Sequence, residues 1–187
     1  MQNVEIYTIG YGALEIEEFI RLLTTRDIRI LVDVRTHPHS RFRPEFNQAQ
    51  LERALNKHTI SYRFMGEQLG GRPEDSHAYD AAGHVDYNKR AEAVDYIDGI
   101  DTLLIDVAKA GPICLMCSEG DPAKCHRSKL IGETLYRRGI EAIHIVPDGN
   151  EVVHGDLRKH LLGPQTNLFG EHLRSRGSYG EKHDEDR

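Results

Sequence analysis

Short apolar runs alternate with amphipathic stretches along this chain, and that alternation predicts an α/β fold: an open, mostly parallel sheet with helices on both faces. Two further observations support it. Ile30-Leu31-Val32 and Ile113-Cys114-Leu115-Met116 are continuous apolar runs of strand length, as expected for strands buried on both sides. The polar and reactive residue types gather just after those runs, where open α/β sheets bind their ligands.

The elements follow in order. Val4 to Gly12 reads as a first strand running into a Gly-Tyr-Gly turn. Leu14 to Thr24 places Ile16, Phe19, Ile20, Leu22 and Leu23 on one helical face. Arg29 to Arg35 is the second strand, followed by the polar loop Thr36 to Pro44. A helix over Gln48 to Leu55 leads to a third strand, Ile60 to Met65, and to Leu69-Gly70-Gly71-Arg72. Pro73 to Asn88 lacks periodicity, and a loop of that length in a compact domain is more often functional or mobile than structural. A long helix is expected over Ala91 to Ala110, with a break at Gly99. The strand Ile113 to Met116 then leads through Gly120-Asp121-Pro122 to a helix capped by Ser128, with Gly139 ending it. Ala142 to Val146 is the last clear strand, before a turn at Pro147 to Asn150 and a short piece at Val152 to His154. The expected arrangement is a Rossmann-like three-layer domain over residues 1–162, with 163–187 a mobile tail.

Composition narrows the function. The 187 residues carry a net charge of −6, so no basic field covers the surface as it would on a protein that coats DNA. No apolar run is long enough to span a membrane, and no N-terminal apolar leader is visible. The 3 cysteines are an odd number crowded between positions 114 and 125, a poor disulfide framework. Reduced thiols in the cytoplasm are the expectation.

The stretch Cys114 to Arg127 carries the chemistry. Residues three apart on a strand face opposite ways, so Cys114 is expected to be a buried apolar side chain rather than half of a Cys-x-x-Cys ligand pair. Cys117, Cys125 and His126 remain open to three roles. They could ligate a metal such as zinc or iron, with a fourth ligand from His37 or His39, although adjacent Cys-His ligands are geometrically awkward. Cys117 could be a thiolate nucleophile favoured by a helix N-terminus and Arg127. Or the cysteines only shape a loop whose working groups are Glu119 as general acid/base, His126 and Arg127.

Arginines form the second constellation. Arg35, Arg41, Arg72 and Arg127 all follow strand ends on one predicted rim, with Tyr11 beside them. Guanidinium groups bind phosphate or carboxylate bidentately, so the rim is expected to hold an anionic small molecule or a nucleic-acid element. Asp33 is expected to pair with Arg35 on the same side of its strand.

These residues resemble a bacterial and archaeal family catalogued as domain of unknown function 488. The resemblance rests on Tyr7-Thr8-Ile9-Gly10, on Leu31 to Arg35 with Pro38, Ser40 and Arg41, on Leu69 to Arg72, and on Leu115 to Glu119 with Pro122 and Cys125 to Ser128. It spans roughly Val4 to Val146 and implies that these positions form a shared site. Gly12 stands where such sequences commonly carry serine. A second similarity is to rhodanese-like domains, through Val32-Asp33-Val34-Arg35 and the strand-end Cys117, which would imply sulfur chemistry. Here nine residues, 118 to 126, separate that cysteine from Arg127, where a rhodanese loop is a tight five-residue cradle. The reading from sequence is thus an enzyme acting on a phosphate-bearing substrate, with sulfur chemistry at Cys117 or a non-catalytic anion- or metal-binding module as alternatives.

Overall fold

A computed structural model describes residues 5–162 and 173–179. Six strands form one open sheet: β1 (Ile6–Gly10), β2 (Ile30–Asp33), β3 (Ser61–Phe64), β4 (Ile113–Cys117), β5 (Ala142–Ile145) and β6 (Glu151–Val153). Their spatial order is β3-β2-β4-β1-β5-β6. All neighbours run parallel except β5 and β6, which pair antiparallel with His144 opposite Val152. The α/β class and the open, mostly parallel sheet are therefore as the sequence predicts.

Strand alternation divides the core into two layers. One face of the sheet sends Tyr7, Ile9, Leu31, Cys114 and Met116 against α1 (Ile16–Thr24) and α2 (Gln48–Asn56), which contribute Phe19, Leu22, Leu23, Leu51 and Leu55. The other face sends Ile6, Val32, Ile113 and Leu115 against Tyr96, Ile100, Leu103, Leu130 and Leu135. Between β3 and β4 lie α3 (Gly66–Leu69), α4 (Tyr87–Glu92) and α5 (Val94–Ala110), the last of 17 residues. After β4 the chain forms a π-helical turn, Arg127–Gly132, that continues into α6 (Glu133–Arg137), and α7 (His154–Leu162) follows β6.

Several boundaries differ from expectation. The long helix breaks at Ala93, whose ψ of 136° is extended, and runs through Gly99 without interruption. Gly99 serves packing instead: a Cβ there would lie 2.6 Å from Gln68 Cβ. Asp86 begins α4 by accepting the Asn88 and Lys89 N–H groups, so the irregular 73–88 loop ends in a capped helix. Ser128 does not cap; it lies inside the π-helical turn and donates its hydroxyl to the Pro122 carbonyl. Gly139, at φ 77°, does end α6, with Ile140 N–H returning 3.0 Å to the Leu135 carbonyl.

Part of the expected tail is docked. Leu173 is 8% exposed, its carbonyl accepts from Tyr87 N–H at 3.0 Å, and Ser175 exchanges hydrogen bonds with Val85. Residues 173–179 thus form a strap over 79–87; the remainder of the 163–187 stretch lies outside the described residues. No described helix is long and apolar enough to cross a membrane.

Candidate functional site

A cavity of about 560 Å³ opens at the C-terminal edge of the sheet. Its walls are the segments that leave four strands: Tyr11-Gly12 after β1, Arg35 to Ser40 after β2, Gly71-Arg72 after β3, and Cys117 to His126 after β4. The strap adds Arg176 and Tyr179. This is where parallel strands deliver their loops, so the site follows from topology.

The floor is built by the chain reversal after β4. Asp121 accepts the Ala123 N–H at 2.9 Å and caps a 3-10 turn, Pro122–Lys124, which brings Cys125 back to Cys117. Cys125 is extended (φ −115°, ψ 147°) while His126 is helical (φ −63°, ψ −25°), and the change of backbone conformation lets both side chains converge. His126 Nδ1 lies 3.7 Å from each of the two sulfurs, and its Nε2 lies 2.9 Å from the Val34 carbonyl. A carbonyl only accepts, so Nε2 carries the proton and Nδ1 turns its lone pair to the sulfurs. The geometric objection to adjacent Cys-His ligands is therefore removed. The three candidate ligand atoms lie within 4.8 Å of one another. His37 and His39 line the same cavity but stand outside that group.

The two thiols titrate as a pair. A hydrogen bond from Cys125 holds Cys117 well below the usual thiol range against the cost of burial, with the Arg127 charge assisting. Burial, and then the bond to Cys117, push Cys125 well above it. Cys114 faces the α1–α2 layer at 0% exposure, and burial pushes its thiol up. It is the apolar core residue that strand alternation predicts.

The arginines divide into three groups. Arg35 lies at the floor, 5% exposed, and clasps Asp33 through Nε at 2.9 Å and Nη2 at 2.6 Å, with Nη2 also reaching the Phe46 carbonyl. Burial works against its charge and the Asp33 carboxylate overrides that, so its pKa is raised. Its Nη1 has no hydrogen-bond partner. Arg72 and Arg176 stand at the rim, Arg72 stacked 3.9 Å over the Tyr179 ring. Arg127 does not reach the cavity: it is 0% exposed and spends Nε on Thr8 and its Nη groups on the Glu119 and Gly120 carbonyls. It is a buried strut that fixes the loop. Arg41 is exposed and does not line the cavity.

Glu119 lines the cavity with its carboxylate engaged. Oε1 accepts the Asp121 N–H at 3.1 Å and Oε2 pairs with Arg176 at 2.9 Å. Tyr11 stacks on Phe46 with ring centroids 4.3 Å apart, and its ring lies beside the Arg35 guanidinium. Lys124, Tyr87, Arg176 and Tyr179 are lining residues that pattern reading missed. Burial above all holds the Tyr87 phenol protonated well above its usual range. For the strap residues a signal existed, since Arg174, Arg176 and Tyr179 are cations and an aromatic set in a Gly/Ser-rich stretch. The 3-10 turn between Cys117 and Arg127 gives a wider loop than a rhodanese cradle.

No curated protein and no solved structure matches the chain. A family model does: the one described as Domain of unknown function DUF488 matches residues 15–133, which include β2, β3, β4 and the Cys117–Cys125–His126 floor. The chain belongs to the DUF488 family.

Proposed function

We propose that the protein is an enzyme acting on a phosphate-bearing substrate, a nucleotide rather than a long nucleic acid. One observation carries the reading: the buried Arg35, 5% exposed and with a guanidinium Nη1 that has no hydrogen-bond partner, lines a cavity that Lys124, Arg72 and Arg176 also line. A buried donor without a partner costs about 1–3 kcal/mol, and a phosphate oxygen would satisfy it through a charge-assisted bond. The cavity volume suits a mononucleotide, and a net charge of −6 disfavours extended polyanion contacts. Tyr87 and Tyr179 offer aromatic walls for a base.

In this reading Arg35 and Arg72 hold the phosphate. Arg176, paired with Glu119 in the free protein, exchanges onto the anion and releases the carboxylate for proton transfer. Cys117 and His126 lie at the floor as the remaining reactive groups. The reduced cysteines fit a cytoplasmic setting.

The test is calorimetric titration with nucleosides and their mono-, di- and triphosphates, followed by assay for turnover. Phosphorylated forms should bind at least about tenfold tighter than nucleosides, with the difference lost in Arg72→Ala, about 1.4 kcal/mol. Equal affinity for both forms would overturn the reading. Glu119→Gln should keep binding and lose turnover; turnover retained in that variant removes Glu119 from the chemistry. Binding without turnover across the panel would favour the non-catalytic module. Phe42, 93% exposed between Arg41 and Arg43, separates nucleotide from nucleic-acid element. If single strands are the ligand, Phe42→Ala weakens oligonucleotide binding and leaves mononucleotide binding unchanged.

A further inference from the structure

We propose that Cys117, Cys125 and His126 bind one zinc ion whose fourth coordination position opens into the cavity. This deepens the phosphate-substrate reading, on which it rests only for the identity of the fourth ligand.

Donor geometry comes first. A tetrahedral zinc has Zn–S bonds of about 2.3 Å and Zn–N bonds of about 2.0–2.1 Å, which set the S···N edge of the tetrahedron at about 3.6 Å. His126 Nδ1 lies 3.7 Å from Cys117 Sγ and 3.7 Å from Cys125 Sγ. Both S···N separations match that edge, and the three ligand atoms all lie within 4.8 Å of one another.

Orientation is the second support. A ligating histidine ordinarily donates its other ring N–H to a carbonyl or carboxylate, which fixes tautomer and ring plane. Val34 supplies that carbonyl to His126 Nε2 at 2.9 Å. The ring is also held in its plane from the side: a Cβ on Gly71 would fall 2.8 Å from His126 Cγ and 2.9 Å from Nδ1. Gly70-Gly71 thus permits the β3 loop to lie flat against the imidazole.

The donor set and its burial are the third. Cys117, Cys125 and His126 are 6%, 3% and 9% exposed. The Arg127 backbone N–H donates to Cys125 Sγ at 3.5 Å, while its guanidinium is committed to Thr8 and two carbonyls and leaves the donor group free of a side-chain hydrogen bond from it. Two cysteine sulfurs and an imidazole nitrogen converging in so enclosed a position are the donor types that a soft divalent ion selects. Three protein ligands, with no fourth in the group among the described residues, is the donor count of an exchangeable site, whereas closed structural sites have four. The open side faces the cavity, where a water or a phosphate oxygen would complete the shell.

The test is titration of the reduced, metal-free full chain with Co(II) and Zn(II) alone, in the absence of nucleotide. One equivalent of cobalt should bind, with thiolate-to-metal charge-transfer bands and tetrahedral d–d absorption, and one equivalent of zinc should displace it. Cys117→Ser and Cys125→Ser should each weaken zinc binding by at least about a hundredfold and reduce the charge-transfer intensity, with circular dichroism confirming that each variant is folded. Should either variant fail to fold, zinc protection of the wild-type thiols from iodoacetamide tests the same ligands without a substitution. Substoichiometric binding, octahedral cobalt, or alkylation unaffected by zinc would overturn the site. Arg72→Ala should leave the cobalt spectrum unchanged, so loss of nucleotide binding and loss of metal are separate outcomes. Nucleotide that binds tightly without perturbing the d–d bands would overturn the open fourth position while leaving the phosphate pocket standing. Metal binding without any phosphate binding would do the reverse.

Discussion

Arg35 performs two tasks with one side chain. Its Nε and one Nη hold Asp33, and Tyr62 adds its hydroxyl to the same carboxylate at 2.7 Å, so that Asp33 accepts several charge-assisted bonds at 0% exposure. Asp33→Asn would leave the guanidinium buried without its counter-charge, and chemical denaturation should show a loss of about 3–5 kcal/mol. A second buried group sets a pH dependence. His144 on β5 bonds Thr8 at 2.7 Å and His154 at 2.9 Å, and burial, with His154 and Arg127 nearby, pushes its pKa down to about 2. An unfolded histidine titrates near 6.5, so below roughly that pH the unfolded chain holds a proton that the folded chain refuses. The stability this neutral ring contributes is complete above about pH 6.5 and is lost as pH falls toward about 2, at up to about 1.4 kcal/mol per pH unit. Unfolding free energies measured from pH 7 to 5 should fall more steeply in the wild type than in His144→Gln; parallel slopes would refute this. At this scale the sequence was legible where alternation decides direction. It placed Cys114 in the core and paired Asp33 with Arg35. It could not show that Arg127 turns inward, because the partners that draw it there are backbone carbonyls of Glu119 and Gly120, which every sequence offers equally.

Among elements, the segment after β4 depends on close approach between backbones. Gly10 ends β1 directly beneath the Glu119 carbonyl, where a Cβ would overlap that oxygen and lie 2.6 Å from Arg127 Nη1. Gly10→Ala should cost about 3 kcal/mol or more, read by thermal unfolding, and should displace the loop that carries Glu119. A variant as stable as the parent would mean that the loop is free to move away. Strands were legible here because their apolar runs are bounded by turn residues. The break in the helix at Ala93 was not, since Glu92-Ala93-Val94 contains neither glycine nor proline to signal it. Tertiary partners decide it: Arg90 reaches the Gln68 carbonyl at 2.5 Å and Asp95 at 2.8 Å, which locks the end of α4 at an angle to α5.

At the level of the whole molecule, the strap ties 173–179 to the loop that roofs the site. Tyr179 N–H donates to the Gly83 carbonyl at 2.7 Å while its ring lies against Arg72. Tyr179→Ala should raise hydrogen-exchange rates at Gly83 to Tyr87 several-fold and leave β4 unchanged; uniform rates across the variant would show that the strap is decorative. The polar composition of this stretch concealed it, because its docking is through main-chain hydrogen bonds and polar side-chain contacts that no hydropathy pattern records. The strand order has a further consequence, for synthesis on the ribosome. β1 and β2, the first strands made, do not touch; β4 lies between them and β5 flanks β1 on its other side. A nascent chain that ends before Ile113 can form the β2–β3 pair but leaves β1 without either neighbour. Vectorial emergence therefore delays closure of the sheet until the cysteine-bearing strand has left the exit tunnel, so assembly of the scaffold and of the site floor is a single late event.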